Sequence, residues 1–288
     1  MRTADQGKRT QKAARAAQQI SCIIPTRNRS EMTLQAVSSV LAQEGDLEIE
    51  IIVVDDASSD DTASKLAERF PEVNVIGSKE RLGPAGARNL GARQAGGSVI
   101  MFLDSDDLWH ADHCLLLAEA LERTPCAFCI TQNIDMNTGD LFQVPDQETI
   151  SRLRRADLLD ELFRWCYIMP SSFAVSKEAF FEIGGFPEAG LGEDWLFFIE
   201  AACRYEIQMV ERAATTRRLH SGSLCRRWCT PQAIDELVSL VEERASALRP
   251  DSGLSKWFKE HRAIIQKEAG SWQSVQDWFS ALKGRGLL

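Results

Sequence analysis

The chain has 288 residues, of which 44% are hydrophobic and 26% charged, a composition typical of a soluble globular protein with ample material for a core. The net charge of −9 argues against a protein that coats nucleic acid, because no broad basic stripe is available for phosphate backbones. No apolar run is long enough to span a bilayer, and the first residues lack a signal-peptide core. We therefore expect a cytoplasmic protein without a transmembrane segment, with peripheral contact at the inner membrane face left open.

The sequence divides into three parts. Residues 1–19 are polar, basic and rich in Ala and Gln, which predicts a flexible tail. From residue 20 to about residue 229, short apolar runs alternate with helical patterns. Beyond that point the pattern is helical without a strand signal, so residues 230–288 are predicted to form a C-terminal helical extension.

The alternation in residues 20–229 predicts βαβ units and a mostly parallel sheet flanked by helices, an α/β fold. In the first half, strands are predicted at 20–24, 49–54, 73–77 and 98–103, and helices at 31–42, 60–70 and 84–94. In the second half, we predict a helix from 109 to about 123, a strand at 126–131, a loop or hairpin at 133–147, a helix at 152–163, a strand near 171–175, a short helix from 177, an apolar helix after 195 and a last strand at 208–211.

Eight cysteines include the pair Cys126 and Cys129 in a C-x-x-C pattern, with Cys225 and Cys229 further along the chain. Such spacing is one sign of a zinc site. However, Cys126 begins a predicted strand, in which side chains three residues apart point to opposite faces. Buried thiols in a reducing compartment are therefore the favoured interpretation.

Polar side chains follow three of the predicted strands. They are residues 25–29 after the first strand, Asp55 and Asp56 after the second, and Asp104, Ser105, Asp106 and Asp107 after the fourth. Because the carboxyl ends of parallel strands share one edge, where open α/β sheets bind ligands, these groups are expected to lie together. Carboxylates crowded in this way favour a hard divalent cation such as Mg²⁺ or Mn²⁺. Each cluster taken alone is also compatible with a turn or a helix cap.

A glycine-rich helix start at residues 81–91 offers free backbone N–H groups, and Arg88 and Asn89 project from it. Such a start suits phosphates or a base edge, although a simple capped helix is the alternative. A response-regulator receiver is excluded by the length of the chain and by the extra carboxylates at 104–107. A dinucleotide-binding dehydrogenase is excluded because no G-x-G-x-x-G follows the first strand.

Four segments in order, CIIPTRNR, IIVVDDASSDDT, GPAGARNLGA and FLDSDDLW, cover residues 20–109 and resemble the successive blocks of family 2 glycosyltransferases with the GT-A fold. The resemblance implies an inverting transferase that depends on Mn²⁺ or Mg²⁺. Its donor would be a nucleoside-diphosphate sugar, UDP-sugar by default, and its acceptor a glycan, lipid, peptide or small molecule. A nucleotidyltransferase of sugar phosphates and a catalytically silent nucleotide-sugar-binding module are the alternatives.

The resemblance also implies roles for individual residues. Pro25, Thr26 and Arg29 would line the nucleotide pocket, Asp56 would accept a hydrogen bond from the base, Arg88 would lie near the base or diphosphate, Asp104 would contact the ribose, Asp106 would ligate the cation, and Asp107 would support the turn or cap a helix.

Two later segments fit the same scheme. Gly192-Glu193-Asp194-Trp195 is similar to the E-D block of the family, which makes Asp194 the candidate general base. An acceptor hydroxyl is a weak nucleophile until a carboxylate takes its proton, and such assistance is worth roughly 10²–10⁴-fold in rate. The alternative for Asp194 is a helix N-cap.

The segment 217–223 resembles the R-x-H-x-x-S loop of the family, so His220 is expected near the cation and the diphosphate, with Arg218 as an alternative phosphate clamp. Residues 169–172 are assigned to the acceptor side. The aromatic residues of the C-terminal extension predict packing on the catalytic domain, with an acceptor-binding or membrane-surface element as the alternative; they are Trp257, Phe258, Trp272, Trp278 and Phe279.

Overall fold

The computed structural model describes residues 19–223 and 231–269. Nine strands are present in this part of the chain: β1 Gln19–Thr26, β2 Glu48–Asp55, β3 Asn74–Gly77, β4 Val99–Phe102, β5 Leu108–Trp109, β6 Cys126–Asp135, β7 Leu141–Val144, β8 Phe173–Ser176 and β9 Ile207–Leu219. They form one sheet in the order β3-β2-β1-β4-β8-β6-β9-β5, with β7 paired to β6.

Helices flank this sheet. They are α1 Ser30–Leu41, α2 Thr62–Arg69, α3 Gly83–Gln94, α4 His113–Ala120, α5 Gln147–Leu153, α6 Leu158–Arg164, α7 Lys177–Ile183, α8 Glu193–Arg204, α9 Pro231–Leu248 and α10 Leu254–Ala269, and a short 3₁₀ turn spans Pro170–Ser172. None of the helices in the described ranges is long and apolar enough to cross a membrane.

The first four strands follow the predicted βαβ pattern, and β3, β2, β1 and β4 are all parallel. β4 and nearly all of β1 are buried, as expected for strands covered by helices on both faces. Later strands add antiparallel pairings of β8 with β4 and β6, of β7 with β6 and of β5 with β9, whereas β6 and β9 are parallel. The α/β class is confirmed, and the sheet is mixed rather than mostly parallel.

Three predicted elements differ in the structure. The helix expected from residue 109 begins at His113, because Trp109 belongs to the short strand β5. The helix expected at 152–163 is two helices, since Asp157 starts α6 by accepting a hydrogen bond from the backbone N–H of Leu159. The strand expected at 208–211 extends to Leu219, where its far end reaches the candidate site.

Two clusters of buried apolar side chains cover the two faces of the sheet. One of them includes Val241 of α9 and Phe258 of α10, so these C-terminal helices share a core with the sheet. Trp257 packs against the same cluster, in agreement with the packing predicted for it and for Phe258. The predictions for the tail at 1–18, for Cys225 and Cys229, and for Trp272, Trp278 and Phe279 lie outside the described residues.

Candidate active site

The residues singled out from the sequence line one cleft of about 910 Å³ at the carboxyl edge of β1, β2 and β4. They are Pro25, Thr26, Arg29, Asp56, Arg88, Asp104, Asp106, Asp194 and His220. The parallel register explains the first group, because Thr26 pairs with Asp55 and Ile23 with Phe102, so the three strands end side by side. The end of β9 and the start of α8 complete the cleft.

The loops after β1 and β2 hold one another in place. The N–H of Asn28 donates to Ser58 Oγ at 2.9 Å, and the N–H of Ser59 donates to Asn28 Oδ1 at 2.7 Å. Asn28 and Ala57 both adopt positive φ angles, 51° and 53°. Non-glycine residues in this region are uncommon and cluster at functional sites, which favours a binding role for this edge.

Asp56 caps the start of α3. Its two carboxylate oxygens accept the backbone N–H groups of Leu82 and Gly83, and its own N–H donates to the carbonyl of Thr26 at 2.8 Å. The glycine-rich helix start therefore already has an anionic partner. This part of the chain holds Asp56 in the wall of the cleft and does not present these two N–H groups to phosphates.

Asp107 supports the turn that carries the other carboxylates. It is 4% exposed, accepts hydrogen bonds from Ser171 Oγ at 2.6 Å and from the N–H of Arg218 at 3.1 Å, and donates its N–H to the carbonyl of Asp104. Burial raises the pKa of Asp107 to about 8, and the charge of Asp106 adds to this effect. Asp107 is thus a supporting residue, and the helix-cap alternative is wrong.

The sequence predicts Ser171 on the acceptor side, whereas in the structure it hydrogen-bonds to the turn of Asp104 and Asp107. Its hydroxyl accepts the N–H of Asp104 at 3.1 Å while donating to Asp107, and its carbonyl accepts the indole N–H of Trp109 at 2.8 Å. No sequence signal points to this role, because the contact joins segments more than sixty residues apart. Met169 and Pro170 line the cleft itself.

Asp106 is bonded to two side chains at once. Arg29 Nη1 donates to Asp106 Oδ2 at 2.7 Å, and His220 Nε2 lies 3.0 Å from the same oxygen. Burial alone would raise the pKa of Asp106, but the hydrogen bond from His220 and the charge of Arg29 together hold it below its usual value. The carboxylate is therefore anionic.

The surroundings of His220 indicate its tautomer. Its Nδ1 accepts the N–H of Gly222 at 3.1 Å, so a neutral imidazole carries its proton on Nε2 and donates it to Asp106. The carbonyl of Gly222 accepts from Arg29 Nη2 at 3.0 Å, which ties the loop after β9 to the loop after β1. These contacts form one hydrogen-bonded group around Asp106 and His220 at this end of the cleft.

The donor set at this end suits a divalent cation that is completed by substrate. A carboxylate and an imidazole meet at Asp106 and His220; the carboxylate is a ligand type that suits Mg²⁺ and Mn²⁺, and the imidazole is a ligand type for transition metals. In the described ranges no group of three or more His, Cys, Asp or Glu side chains is arranged to hold a metal ion. Mg²⁺ and related cations are commonly held by one or two protein groups together with substrate phosphates, so two protein ligands fit.

The resemblance places Arg88 near the base or the diphosphate, and in the structure its guanidinium forms ion pairs with two carboxylates. The side chain is 5% exposed, with Nη2 2.6 Å from Asp104 Oδ1 and Nη1 3.0 Å from Glu193 Oε1. The guanidinium lies over the ring of Phe186, 5.1 Å from its centroid. Burial alone would lower the pKa of Arg88, but Asp104 and Glu193 raise it above its usual value, so the group stays charged.

Glu193 is a cleft residue that the sequence reasoning missed. The signal was its place beside Asp194 in the E-D block. Burial raises the pKa of Glu193 to about 7, and the charge of Asp194 raises it further, whereas the charge of Arg88 opposes this shift.

Asp194 lies in the first turn of α8. The N-cap is Gly192 with a φ of 77°, and the carboxylate of Asp194 accepts the N–H of Trp195 at 2.8 Å, so the cap alternative for Asp194 is wrong. Gly192 also leaves room for Leu237 of α9, whose Cδ1 would lie 2.5 Å from an added Cβ. Burial raises the pKa of Asp194, which brings this carboxyl closer to the range useful for a base at neutral pH.

Arg218 lines the cleft, but two of its guanidinium nitrogens already have partners. Its Nε donates to the carbonyl of Asp106 and its Nη1 to Gln35 Oε1, and the residue is 7% exposed. The side chain therefore fixes the turn of Asp106 against α1.

Comparison with known proteins is consistent with this geometry. The sequence profile of the family described as Glycosyl transferase family 2 matches residues 21–184. An uncharacterized glycosyltransferase of Rickettsia conorii is 29% identical over 208 residues, which make up 71% of this chain but 33% of the relative. The succinoglycan biosynthesis protein ExoO of Rhizobium meliloti is 28% identical over 266 residues, 88% of this chain and 75% of that protein. The chain thus spans about a third of the length of its Rickettsia conorii relative.

Solved structures show the same fold. S. aureus TarS 1-349 in complex with UDP superposes with a TM-score of 0.64 at 19% identity, covering 88% of this chain and 72% of that one. The mannosyltransferase PcManGT from Pyrobaculum calidifontis, in complex with GDP-Man and Mn²⁺, gives a TM-score of 0.60 at 19% identity, with 79% and 64% coverage. The fold is the one predicted from the sequence.

Proposed function

The chain belongs to glycosyltransferase family 2, and we propose that it transfers a sugar from a nucleoside-diphosphate sugar to an acceptor nucleophile, with inversion at the anomeric carbon. The observation that carries this proposal is the meeting of Asp104, Asp106 and Asp194 in one cleft, although Asp194 lies about ninety residues further along the chain. A binding module has no use for a buried carboxylate with a raised pKa opposite a donor site.

UDP-sugar is the proposed donor, with GDP- and dTDP-sugars as alternatives. TarS is similar in fold and was solved with UDP, whereas the similar PcManGT was solved with GDP-Man. The loops after β1 and β2 would hold the nucleotide between Pro25, Thr26 and Asp56. A carboxylate offers about four lone-pair sites, so Asp56 keeps acceptor capacity for a base N–H beyond its two backbone partners. Asp104 would accept from the ribose hydroxyls.

Asp106, with His220, would hold Mn²⁺ or Mg²⁺. When bound, such a cation neutralises charge that develops on the departing diphosphate. For a cation held between Asp106 Oδ2 and His220 Nε2, Asp106 would exchange its contact with Arg29, and His220 would lose its proton from Nε2. The freed guanidinium of Arg29 is then available to the phosphates, to which arginine binds well.

Asp194 would act as the general base. Its carboxylate faces the cleft from the first turn of α8, where it would accept the proton of the acceptor hydroxyl during attack. A single displacement on the face opposite the leaving diphosphate inverts the anomeric carbon. The family does not specify the acceptor, which we keep as a glycan, lipid, peptide or small molecule.

The test is the isosteric variant Asp194→Asn, assayed with a panel of UDP-sugars and candidate acceptors. We expect transfer to fall by roughly 10²–10⁴-fold, because the amide cannot take a proton. Calorimetry should show UDP affinity, measured with Mn²⁺, within about twofold of the wild type, since Asp194 lies away from the nucleotide loops. Asp60→Asn, an exposed carboxylate on the rim of the same cleft, is the matched control and should keep full activity.

Three results would count against the proposal. Full activity of Asp194→Asn would show that Asp194 is not the general base. Absence of UDP, GDP and dTDP binding with Mn²⁺ would remove the donor site. Release of pyrophosphate from a nucleoside triphosphate and a sugar phosphate would establish the nucleotidyltransferase alternative instead.

A further inference from the structure

One guanidinium connects the donor side of the cleft to the proposed base. Arg88 projects from α3, and its two terminal nitrogens bind Asp104 after β4 and Glu193 at the start of α8. Glu193 is the immediate neighbour of Asp194. Arg88 thus forms ion pairs with Asp104 and with Glu193, and through Glu193 it contacts the residue next to the proposed base.

Charged and titratable groups from several elements face Asp194. Arg88 of α3 and Arg217 of β9 act on it as cations, and Asp104 acts as an anion. Glu193 and the thiol of Cys166, which lies in the segment between α6 and the 3₁₀ turn, interact with it as well. Arg88 has the largest effect of these charges on Asp194.

Arg88 is buried and permanently charged, so each of its nitrogens needs an acceptor. Its Nε already has none in the described part of the chain. A buried guanidinium left with a second unpaired nitrogen would bear a large desolvation cost, which favours a new bond from Nη1 to another carboxylate. With Glu193 absent, Asp194 is the other carboxylate, besides Asp104, whose charge acts on Arg88, and it lies one residue further along α8.

We propose that Glu193 is a positioning residue, which binds Nη1 of Arg88 and so keeps this guanidinium off Asp194. The base then keeps the lone pairs that the N–H of Trp195 does not use for the acceptor hydroxyl, and the positive charge of Arg88 still acts on its pKa. This inference rests on the proposed role of Asp194 as base. It assigns Glu193 no contact with substrate.

Three variants at residue 193 separate position from charge. Glu193→Gln keeps an oxygen acceptor at the same reach but loses the charge. Glu193→Asp keeps the charge but is one methylene shorter, so it cannot reach Arg88 without movement. Glu193→Ala removes both, and thermal unfolding of each variant checks that it is folded.

We expect kcat to decrease in the order wild type, Gln, Asp, Ala, with Gln retaining at least a third of the wild-type value and Ala about 1–10% of it. The acid limb of the kcat/KM profile of Glu193→Ala should move about one to three pH units lower, because a direct ion pair with Arg88 lowers the pKa of the base. Gln should move this limb less than Ala does. UDP affinity should stay within about threefold in all three, since Nη2 of Arg88 keeps its bond to Asp104 and the loops after β1 and β2 are unaltered.

The result that overturns the inference is an active Asp variant together with a Gln variant as impaired as Ala, which would mean that charge and not position matters. Equal losses in all three variants with an unmoved acid limb would also overturn it, because they would indicate a structural role. Either result leaves the proposed function intact as long as Asp194→Asn is inactive. An active Asp194→Asn would instead refute the proposed base and this inference with it.

Discussion

In the proposed metal site, Arg29 donates to Asp106 Oδ2, the oxygen that also faces His220, so removing Arg29 should strengthen binding of the cation alone. The perturbation is Arg29→Gln. It deletes the 2.7 Å contact between Nη1 and Asp106 Oδ2 and leaves the 3.0 Å contact of His220 in place. In the wild type, a cation bound at the proposed site without nucleotide would have to displace this guanidinium.

The size of the effect follows from the geometry. A hydrogen bond to a charged group contributes roughly 1.5–3 kcal/mol. The side chains are 20% and 14% exposed, so some solvent screening reduces this contribution to about 1–2 kcal/mol. Since each 1.4 kcal/mol is a factor of ten, Arg29→Gln should bind Mn²⁺ roughly five- to thirtyfold more tightly than the wild type.

The assay is a titration of Mn²⁺ followed by electron paramagnetic resonance, which detects the free aquo ion without any need for turnover. Arg27→Gln is the matched control, because it removes the same charge from an exposed position two residues away. With UDP present the difference should shrink or reverse, since the diphosphate gives the wild-type guanidinium another partner.

Tighter Mn²⁺ binding by Arg27→Gln to the same degree would show that net charge, not the contact with Asp106, controls affinity. Weaker binding by Arg29→Gln would refute the reasoning outright, because Arg29 would then assist the free cation rather than compete with it.

Two further predictions concern stability. Gly91→Ala should lower the free energy of unfolding by about 1–3 kcal/mol in urea titrations, because the added Cβ would lie 2.5 Å from Ile23 Cγ2, where α3 packs on β1. The control Gly77→Ala has no neighbour within 4 Å of its Cβ and should leave the free energy of unfolding nearly unchanged. Equal effects of the two variants would disprove the packing argument. Burial lowers the pKa of His113 to about 3, so below pH 6.5 the unfolded chain binds a proton that the folded chain does not. As the pH drops from 6.5 toward 3, His113 should therefore reduce the free energy of unfolding by about 1.4 kcal/mol per pH unit. His113→Gln should flatten that slope, and an unchanged slope would show that other groups cause it.

The local sequence pattern was sufficient to predict the first half of the fold. Short apolar runs that alternate with amphipathic helices predicted four parallel strands, and the shared carboxyl edge of such strands predicted that Asp56, Asp104 and Asp106 would lie together. The first expectation depends on the apolar periodicity of neighbouring residues, and the second on the shared carboxyl edge that parallel strands have. The same signals were weaker for the antiparallel strands, whose pairing does not follow from chain order.

Only the tertiary structure determined which side chains pair inside the cleft. Arg88 and Glu193 are 105 residues apart, and Asp106 and His220 are 114 apart. Residue type indicated that each could be functional, but it could not show that Arg88 binds two carboxylates or that Arg29 holds Asp106. Such contacts depend on the path of the whole chain, because a hydrogen bond requires two atoms within about 3 Å, and no local pattern fixes a distance across a hundred residues.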